Sequence, residues 1–197
     1  MRENEIPGAA LAVAKDGRLL YARGFGWADR ENKKPMQPHS LFRIASISKP
    51  ITAAAILRLV EEGKLKLDDK AFALLPHKPH LRKDAKVDAR LKQITIRHLL
   101  QHRGGWDRAK SMDAMFQPVR IAHALGKQPP ADANDIIRFM RGWPLDFDPG
   151  QRYAYSNLGY NILGRVIEQT TGKGYEEYVR SEILKPLGIT AMRIGKT

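Results

Sequence analysis

Phe42-Arg43-Ile44-Ala45-Ser46-Ile47-Ser48-Lys49-Pro50 is the stretch around which the remainder of this 197-residue chain is read. It holds a Ser-x-x-Lys pattern and runs straight into Ile51-Thr52-Ala53-Ala54-Ala55-Ile56-Leu57-Arg58-Leu59-Val60, an Ala/Leu-rich segment of high helix propensity that is expected to be mostly buried. Gly63 supplies a stop. If Ser46 opens this helix, Lys49 lies one turn on, and hydroxyl and amine share a face within side-chain reach. Pro50 has no N–H and its ring clashes with the carbonyl four residues back. Ser46 to Lys49 must therefore be the entry turn, tightened or irregular. A serine hydroxyl is a weak nucleophile at neutral pH and needs a neighbouring base, a role lysine fills where burial lowers its pKa. The start of a helix also favours developing negative charge. Taken alone the pattern is short, and a helix-capping serine followed by a solvated lysine explains it equally well.

Upstream, Gly8-Ala9-Ala10-Leu11-Ala12-Val13-Ala14 and Leu19-Leu20-Tyr21-Ala22-Arg23-Gly24-Phe25-Gly26-Trp27 flank Lys15-Asp16-Gly17-Arg18. Asp-Gly between two apolar runs predicts a tight primed turn, hence an antiparallel hairpin. A lone hairpin is marginal in water, so it requires further strands or covering helices. Residues 28 to 41 are polar and contain proline, and read as a loop.

Downstream the signals are helical. Thr95 is placed to cap Ile96-Arg97-His98-Leu99-Leu100-Gln101-His102, with Gly104-Gly105 ending it. His98 and His102 are four apart, as zinc ligands on a helix are, but no Glu follows His98 and no third ligand is evident, so both are read as structural. Residues 106 to 132, with Trp106 and Met115-Phe116, read as a loop with some helix able to wall a pocket. Residues 133 to 140 read as a short helix with Asn134 or Asp135 near its cap. After Tyr153-Ala154-Tyr155-Ser156-Asn157, the residues Leu158, Ile162, Leu163, Val166, Ile167 and Thr170 recur at helical spacing until Gly172. A last helix is expected from about Tyr175 to Leu184, stopped by Pro186-Leu187-Gly188.

Composition narrows the classes. With 43% hydrophobic and 28% charged residues the chain is long enough to bury a sizeable core. No apolar run reaches membrane-spanning length, and Met1-Arg2-Glu3-Asn4-Glu5-Ile6-Pro7 lacks the basic start and apolar centre of an export leader. The absence of cysteine excludes disulfides, thiolate catalysis and zinc-thiolate sites. The net charge of +13 favours polyanions in principle. The basic residues, though, are dispersed over Lys64, Lys66, Lys70, Lys78, Arg82, Lys83, Lys86, Arg90, Lys92 and Arg97 with little aromatic interleaving, so a solvated basic face is the reading and nucleic acid is not an expected partner.

Together the landmarks resemble the serine β-lactamase and penicillin-binding-protein superfamily, closest to its class C β-lactamase and esterase-like branch. The residues that carry the likeness are Ile6-Pro7-Gly8, Gly24-Phe25-Gly26-Trp27-Ala28-Asp29, Phe42 to Pro50, Ile96 to His102, Pro149-Gly150 through Tyr155-Ser156-Asn157-Leu158-Gly159-Tyr160, and Leu187-Gly188-Ile189. The resemblance spans nearly the whole chain and implies an α+β, β-lactamase/transpeptidase-like fold. In it, residues 1–45 supply an N-terminal hairpin of the sheet region and residues 46–197 a mainly helical region. It implies a serine hydrolase that passes through an acyl-enzyme on an amide or ester (a β-lactam, a D-alanyl peptide or a small ester), with no cofactor and no metal. Carried over by residue, Ser46 is the nucleophile, Lys49 the cation or base beside it, and Tyr155 the phenol that takes the serine proton. Asn157 binds both Lys49 and the substrate. Apart from that carry-over, residues 103 to 130, with Trp106, are expected to wall the substrate pocket. Whether Lys49 or Tyr155 is the general base is left open.

The family's third motif, Lys or His followed by x-Gly on a late strand that also gives the oxyanion hole a backbone N–H, has no match. Arg193-Ile194-Gly195-Lys196-Thr197 has the wrong order. The chain therefore reads as truncated relative to the family, with a further segment or a second chain expected to complete the sheet. Low activity alone is expected, since one oxyanion donor is typically worth about a hundred- to a thousandfold in rate. The rival reading is a non-catalytic binding or assembly module of the same fold. Most relatives act outside the cytoplasm, whereas Met1 directly precedes the first strand, so location is left open.

Overall fold

In the computed structural model, residues 5–83 and 85–195 are described. The leader reading at Met1–Asn4 and the last two residues of the Gly-Lys-Thr triplet lie outside them. Packing divides the chain into two compact units, Met1–Ile44 and Ala45–Thr197.

The first unit is a three-stranded antiparallel sheet in the order β1-β2-β3: β1 (Gly8–Lys15), β2 (Arg18–Asp29) and β3 (Lys34–Pro35). Asp16 and Gly17 take φ of +50° and +71°, the conformation a primed turn requires, and set the register Leu11↔Arg23 and Val13↔Tyr21. The polar loop expected from residue 28 is shorter than the composition suggests. The Asp29 carboxylate accepts from the Asn32 backbone N–H at 3.0 Å and its side-chain amide at 2.7 Å, which folds the chain back so that Lys34 and Pro35 pair with Asp29 and Trp27. Two paired residues are too few to leave an alternating pattern. Gly24 is fixed by this return: a Cβ there would sit 2.1 Å from the Met36 carbonyl oxygen.

The second unit is helical: α1 (Ser48–Glu61), α2 (Ala71–Leu74), α3 (Ile96–Leu100), α4 (Pro118–Ala124), α5 (Ala133–Met140), α6 (Asn157–Thr171) and α7 (Tyr175–Tyr178). α6 is the hub. Its buried face, Leu158, Ile162, Leu163, Val166 and Ile167, follows the helical repeat, and α1, α2, α3, α5 and α7 all pack against it. Ile56 and Leu59 from α1, Ile96 and Leu99 from α3, Ile121 from α4 and Ile137 from α5 complete a core with almost no exposure. Each such side chain contributes about 1.5–3 kcal/mol by leaving water. Both ends of α6 have identifiable stops. Ser156 Oγ accepts from the Gly159 N–H at 3.1 Å, and Gly172 at φ +69° closes the C-terminus.

Two boundaries differ from the sequence reading. Asp132, rather than Asn134 or Asp135, caps α5, accepting from the Asp135 N–H at 2.8 Å, because the 133–140 register leaves 132 as the last extended residue. The last helix is regular only over Tyr175–Tyr178 and continues as a wider π turn through Val179–Leu184. Thr95 caps α3 in a reciprocal box with His98: the Thr95 hydroxyl accepts from the His98 N–H, and His98 Nδ1 from the Thr95 N–H. Among the described residues no helix is long and apolar enough to cross a membrane.

Candidate active site

Pro50 sits in the first turn of α1, where its missing N–H costs nothing, and the chain enters through a 3-10 turn over Ala45–Ile47. Ser46 lies in that turn and Lys49 in the first turn of α1. The residue before Ser46, Ala45, has φ +44°, a left-handed conformation that a side chain makes costly by about 1–3 kcal/mol. Lys49 Nζ donates to Ser46 Oγ at 3.2 Å.

The other half of the site comes from the entry to α6. The backbone at Ser156 is extended, so its own side chain turns inward to cap the helix and is buried, while Tyr155 and Asn157 on either side project the opposite way. Tyr155 Oη lies 2.6 Å from Ser46 Oγ, and Asn157 Oδ1 accepts from Lys49 Nζ at 2.7 Å. Ser46, Lys49, Tyr155 and Asn157 are thus brought into one hydrogen-bonded cluster by the packing of α1 on α6.

The phenol of Tyr155 is held below its ordinary pKa of 10.0, first by Lys49, whose ammonium lies 4.7 Å from the ring centre, and next by the Ser46 hydrogen bond. The Arg108 guanidinium, 4.9 Å from the ring centre on the loop after α3, adds to the same effect.

Further residues shape the cluster in roles that the sequence does not announce. His102 stacks on Tyr155 at 4.6 Å between ring centres, and its Nδ1 accepts from the Ser156 N–H at 3.1 Å. That bond places the neutral ring's proton on Nε2. Burial first, and then the Lys49 charge, hold His102 below 6.5. The segment is tied in place by the Ala154 N–H donating to the His102 carbonyl at 2.8 Å, by the Gly150 N–H donating to the Arg103 carbonyl at 2.8 Å, and by the Arg103 guanidinium bonding the Gly150 carbonyl. Asp113 accepts from Asn157 Nδ2 at 2.7 Å, and Arg108 lies 3.9 Å from the same carboxylate oxygen. His98 and His102 have the spacing of a zinc pair on a helix, yet with no third ligand both read as structural. His98 serves the α3 cap, and among the described residues no group of three or more His, Asp or Glu could hold a metal ion.

Trp106 lines a crevice of about 10 Å³ shared with Arg108, Asp113, Tyr155 and Asn157. Its indole is only 4% exposed and packs edge-on to Phe72, with ring centres 6.4 Å apart. It backs the site as a core side chain.

The Beta-lactamase family model matches residues 1–197. The chain belongs to that family. Over 193 residues it is 36% identical to Esterase EstB of Burkholderia gladioli, a match covering 96% of this chain and 47% of the esterase. The octameric penicillin-binding protein homologue from Pyrococcus abyssi superposes with a TM-score of 0.76 at 35% identity, covering 95% of this chain and 40% of that one. EstCE1, a hydrolase with promiscuous acyltransferase activity, superposes at 0.74 with 34% identity, covering 95% and 48%. The α+β architecture of this Beta-lactamase family chain is that of these neighbours, and the chain spans about half the length of the relatives it matches.

Proposed function

We propose that this chain carries the acylation centre of a serine hydrolase that acts on an ester or amide carbonyl. The observation that carries the reading is the three-way contact of Ser46 with Tyr155 at 2.6 Å and Lys49 at 3.2 Å. Of the two candidate bases, Tyr155 is favoured: it is the closer, and its pKa is held down by the cation beside it. In the proposed reaction the Tyr155 phenolate takes the Ser46 proton as Oγ attacks the carbonyl carbon. The tetrahedral intermediate then expels the alcohol or amine, which receives that proton from Tyr155, and an ester to Ser46 remains. Water enters, gives a proton to Tyr155 and attacks the acyl carbon. Breakage of the ester bond to Oγ frees the acid, and Ser46 regains the proton. Lys49 stays cationic throughout, and Asn157 holds it in place while offering an N–H to the substrate.

A β-lactam, a D-alanyl peptide and a small ester all present a carbonyl this centre can acylate from. The named relatives, an esterase, a penicillin-binding-protein homologue and a hydrolase with acyltransferase activity, support acyl transfer as the shared chemistry. The octameric state of the Pyrococcus relative makes further chains plausible partners here. The sheet offers them a surface, with Leu11, Val13, Leu19, Leu20 and Tyr21 exposed.

Acylation is tested by mass spectrometry of the intact protein after exposure to a fluorophosphonate and to a labelled penicillin. One adduct on Ser46, absent from Ser46→Ala, is expected. No adduct, or one on another residue, overturns the reading and favours a binding or assembly role for the fold.

A further inference from the structure

The cluster contains an amide whose orientation decides whether it works. Asn157 presents its oxygen to Lys49 Nζ and its nitrogen to Asp113 Oδ2, each at 2.7 Å. Rotated by half a turn, the same side chain would face the ammonium with its NH₂, a donor against a donor. Lys49 cannot prevent that rotation alone, because a lone hydrogen bond leaves the side chain free to swing away. Asp113 can, because an ionised carboxylate only accepts, and so only the nitrogen of Asn157 satisfies it.

We infer that Asp113 is a positioning residue for the acylation centre: it locks the Asn157 amide in the one orientation that holds Lys49 against Ser46 and leaves the second Nδ2–H for substrate. The inference rests on the serine-hydrolase reading for its rate consequence, though not for the lock itself. Asp113 is itself well placed to be rigid. Its side chain is only 14% exposed, and its other oxygen, Oδ1, accepts from the Met115 N–H at 3.2 Å, capping the short 3-10 turn over Ala114–Phe116. That turn and α6 pack together, so the carboxylate is braced between the loop and the helix it serves.

The two oxygens define an isosteric test. In Asp113→Asn the single carbonyl oxygen can cap Met115 or receive Asn157 Nδ2, but not both. When it caps Met115, its NH₂ confronts the Asn157 NH₂ and drives that amide to flip. The rate of adduct formation on Ser46 is measured in wild type, Asp113→Asn, Asn157→Ala and the double variant. Asp113→Asn is expected to slow acylation about 10- to 100-fold, the loss typical of a hydrogen bond to a charged group. In the Asn157→Ala background it is expected to change nothing further, because the residue it acts through is gone. An equal loss in both backgrounds would mean that Asp113 acts through the loop, through Arg108 or through its charge, and would overturn the inference.

A second measurement separates this outcome from failure of the hydrolase reading. The side-chain NH₂ resonances of Asn157, assigned by their disappearance in Asn157→Ala, are followed by ¹H–¹⁵N NMR. A carboxylate partner widens the separation between the two inherently inequivalent protons, and Asp113→Asn is expected to narrow it toward that of a solvated amide. If wild type forms no adduct while the resonances behave this way, the lock stands and the hydrolase reading falls. If the resonances do not move, the lock itself falls.

Discussion

Tyr155 Oη and Ser46 Oγ stand 2.6 Å apart across 109 residues of chain. No local preference produces that distance; it follows from α1 packing on α6, with Ser46 in the 3-10 turn that leads into α1 and Tyr155 just before the cap of α6. The oxygen of Tyr155 can therefore be removed with little structural disturbance, since the ring remains stacked on His102. Tyr155→Phe is expected to slow adduct formation on Ser46 about 10²- to 10⁴-fold, the usual worth of a positioned general base. Its thermal midpoint is expected to stay within a few degrees of wild type. Rapid acylation of the variant would assign the proton transfer to Lys49.

The electrostatics of the pair predict a pH profile. A base must be ionised to act, so acylation should rise as the Tyr155 phenol loses its proton, with a midpoint below 10.0 because Lys49 and the Ser46 hydrogen bond stabilise the phenolate. In Lys49→Met the cation is gone and the phenolate is less favoured, which moves the midpoint upward. The residual adduct-forming rate, followed from neutral to alkaline pH in both proteins, checks this. Coincident midpoints would show that Lys49 does not tune the phenol.

How much of this was legible beforehand depended on whether a feature was local or assembled. The hairpin turn at Asp16-Gly17, the α6 stripe ending at Gly172 and the Thr95 cap are each encoded within a few residues, and the backbone follows them. Ser46 and Lys49 are one turn apart and could be paired by spacing. Tyr155 and Asn157 could be joined to them only through the family pattern, because nothing near residue 155 specifies a partner at residue 46. The roles of Asp113 and His102 at the site were out of reach for a further reason. Asp113 sits in an irregular loop whose path is set by where its side chain finds hydrogen bonds, and His102 takes φ +55°, a conformation that residue type alone does not announce. Lys34–Pro35 was missed because a two-residue strand has no period.

His102 links the site to stability in acid. Its Nδ1 accepts from the Ser156 N–H only while unprotonated, and its pKa is lowered from 6.5 by burial and by the Lys49 charge. The unfolded chain therefore binds the proton more readily than the folded one, and stability should be full above about 6.5 and decline as pH falls below it. His102→Asn keeps a side-chain acceptor and tolerates the left-handed backbone, so its thermal midpoint should fall less between pH 7 and pH 5 than that of wild type. His98, lowered in the same direction, leaves part of the decline in place. A variant whose acid sensitivity equals wild type would remove His102 from the account.

The framework beneath the site has its own ionic staple, anchored by Asp88. The Arg90 guanidinium donates to Asp88 at 2.7 Å, to Asp148 at 2.8 Å and to the Leu145 carbonyl at 2.8 Å, while the Leu145 N–H donates back to Asp88 at 3.0 Å. These bonds tie the turn over Ala89–Gln93 to the loop that leads toward Tyr155. Chiefly through the Arg90 hydrogen bond, they lower the Asp88 pKa from 3.8 to about 2. The folded state thus releases the proton more readily than the unfolded one. The stabilisation is complete above about 3.8 and disappears as pH falls through about 2. Asp88→Asn, which cannot carry the charge, is expected to cost about 1–3 kcal/mol at neutral pH, because it weakens a charge-assisted bond and turns a donor toward Arg90. Urea unfolding at pH 7 and again near pH 2 should show the gap between the two proteins closing as wild-type Asp88 itself becomes protonated. A gap of the same size at both values would assign the loss to altered packing around residue 88.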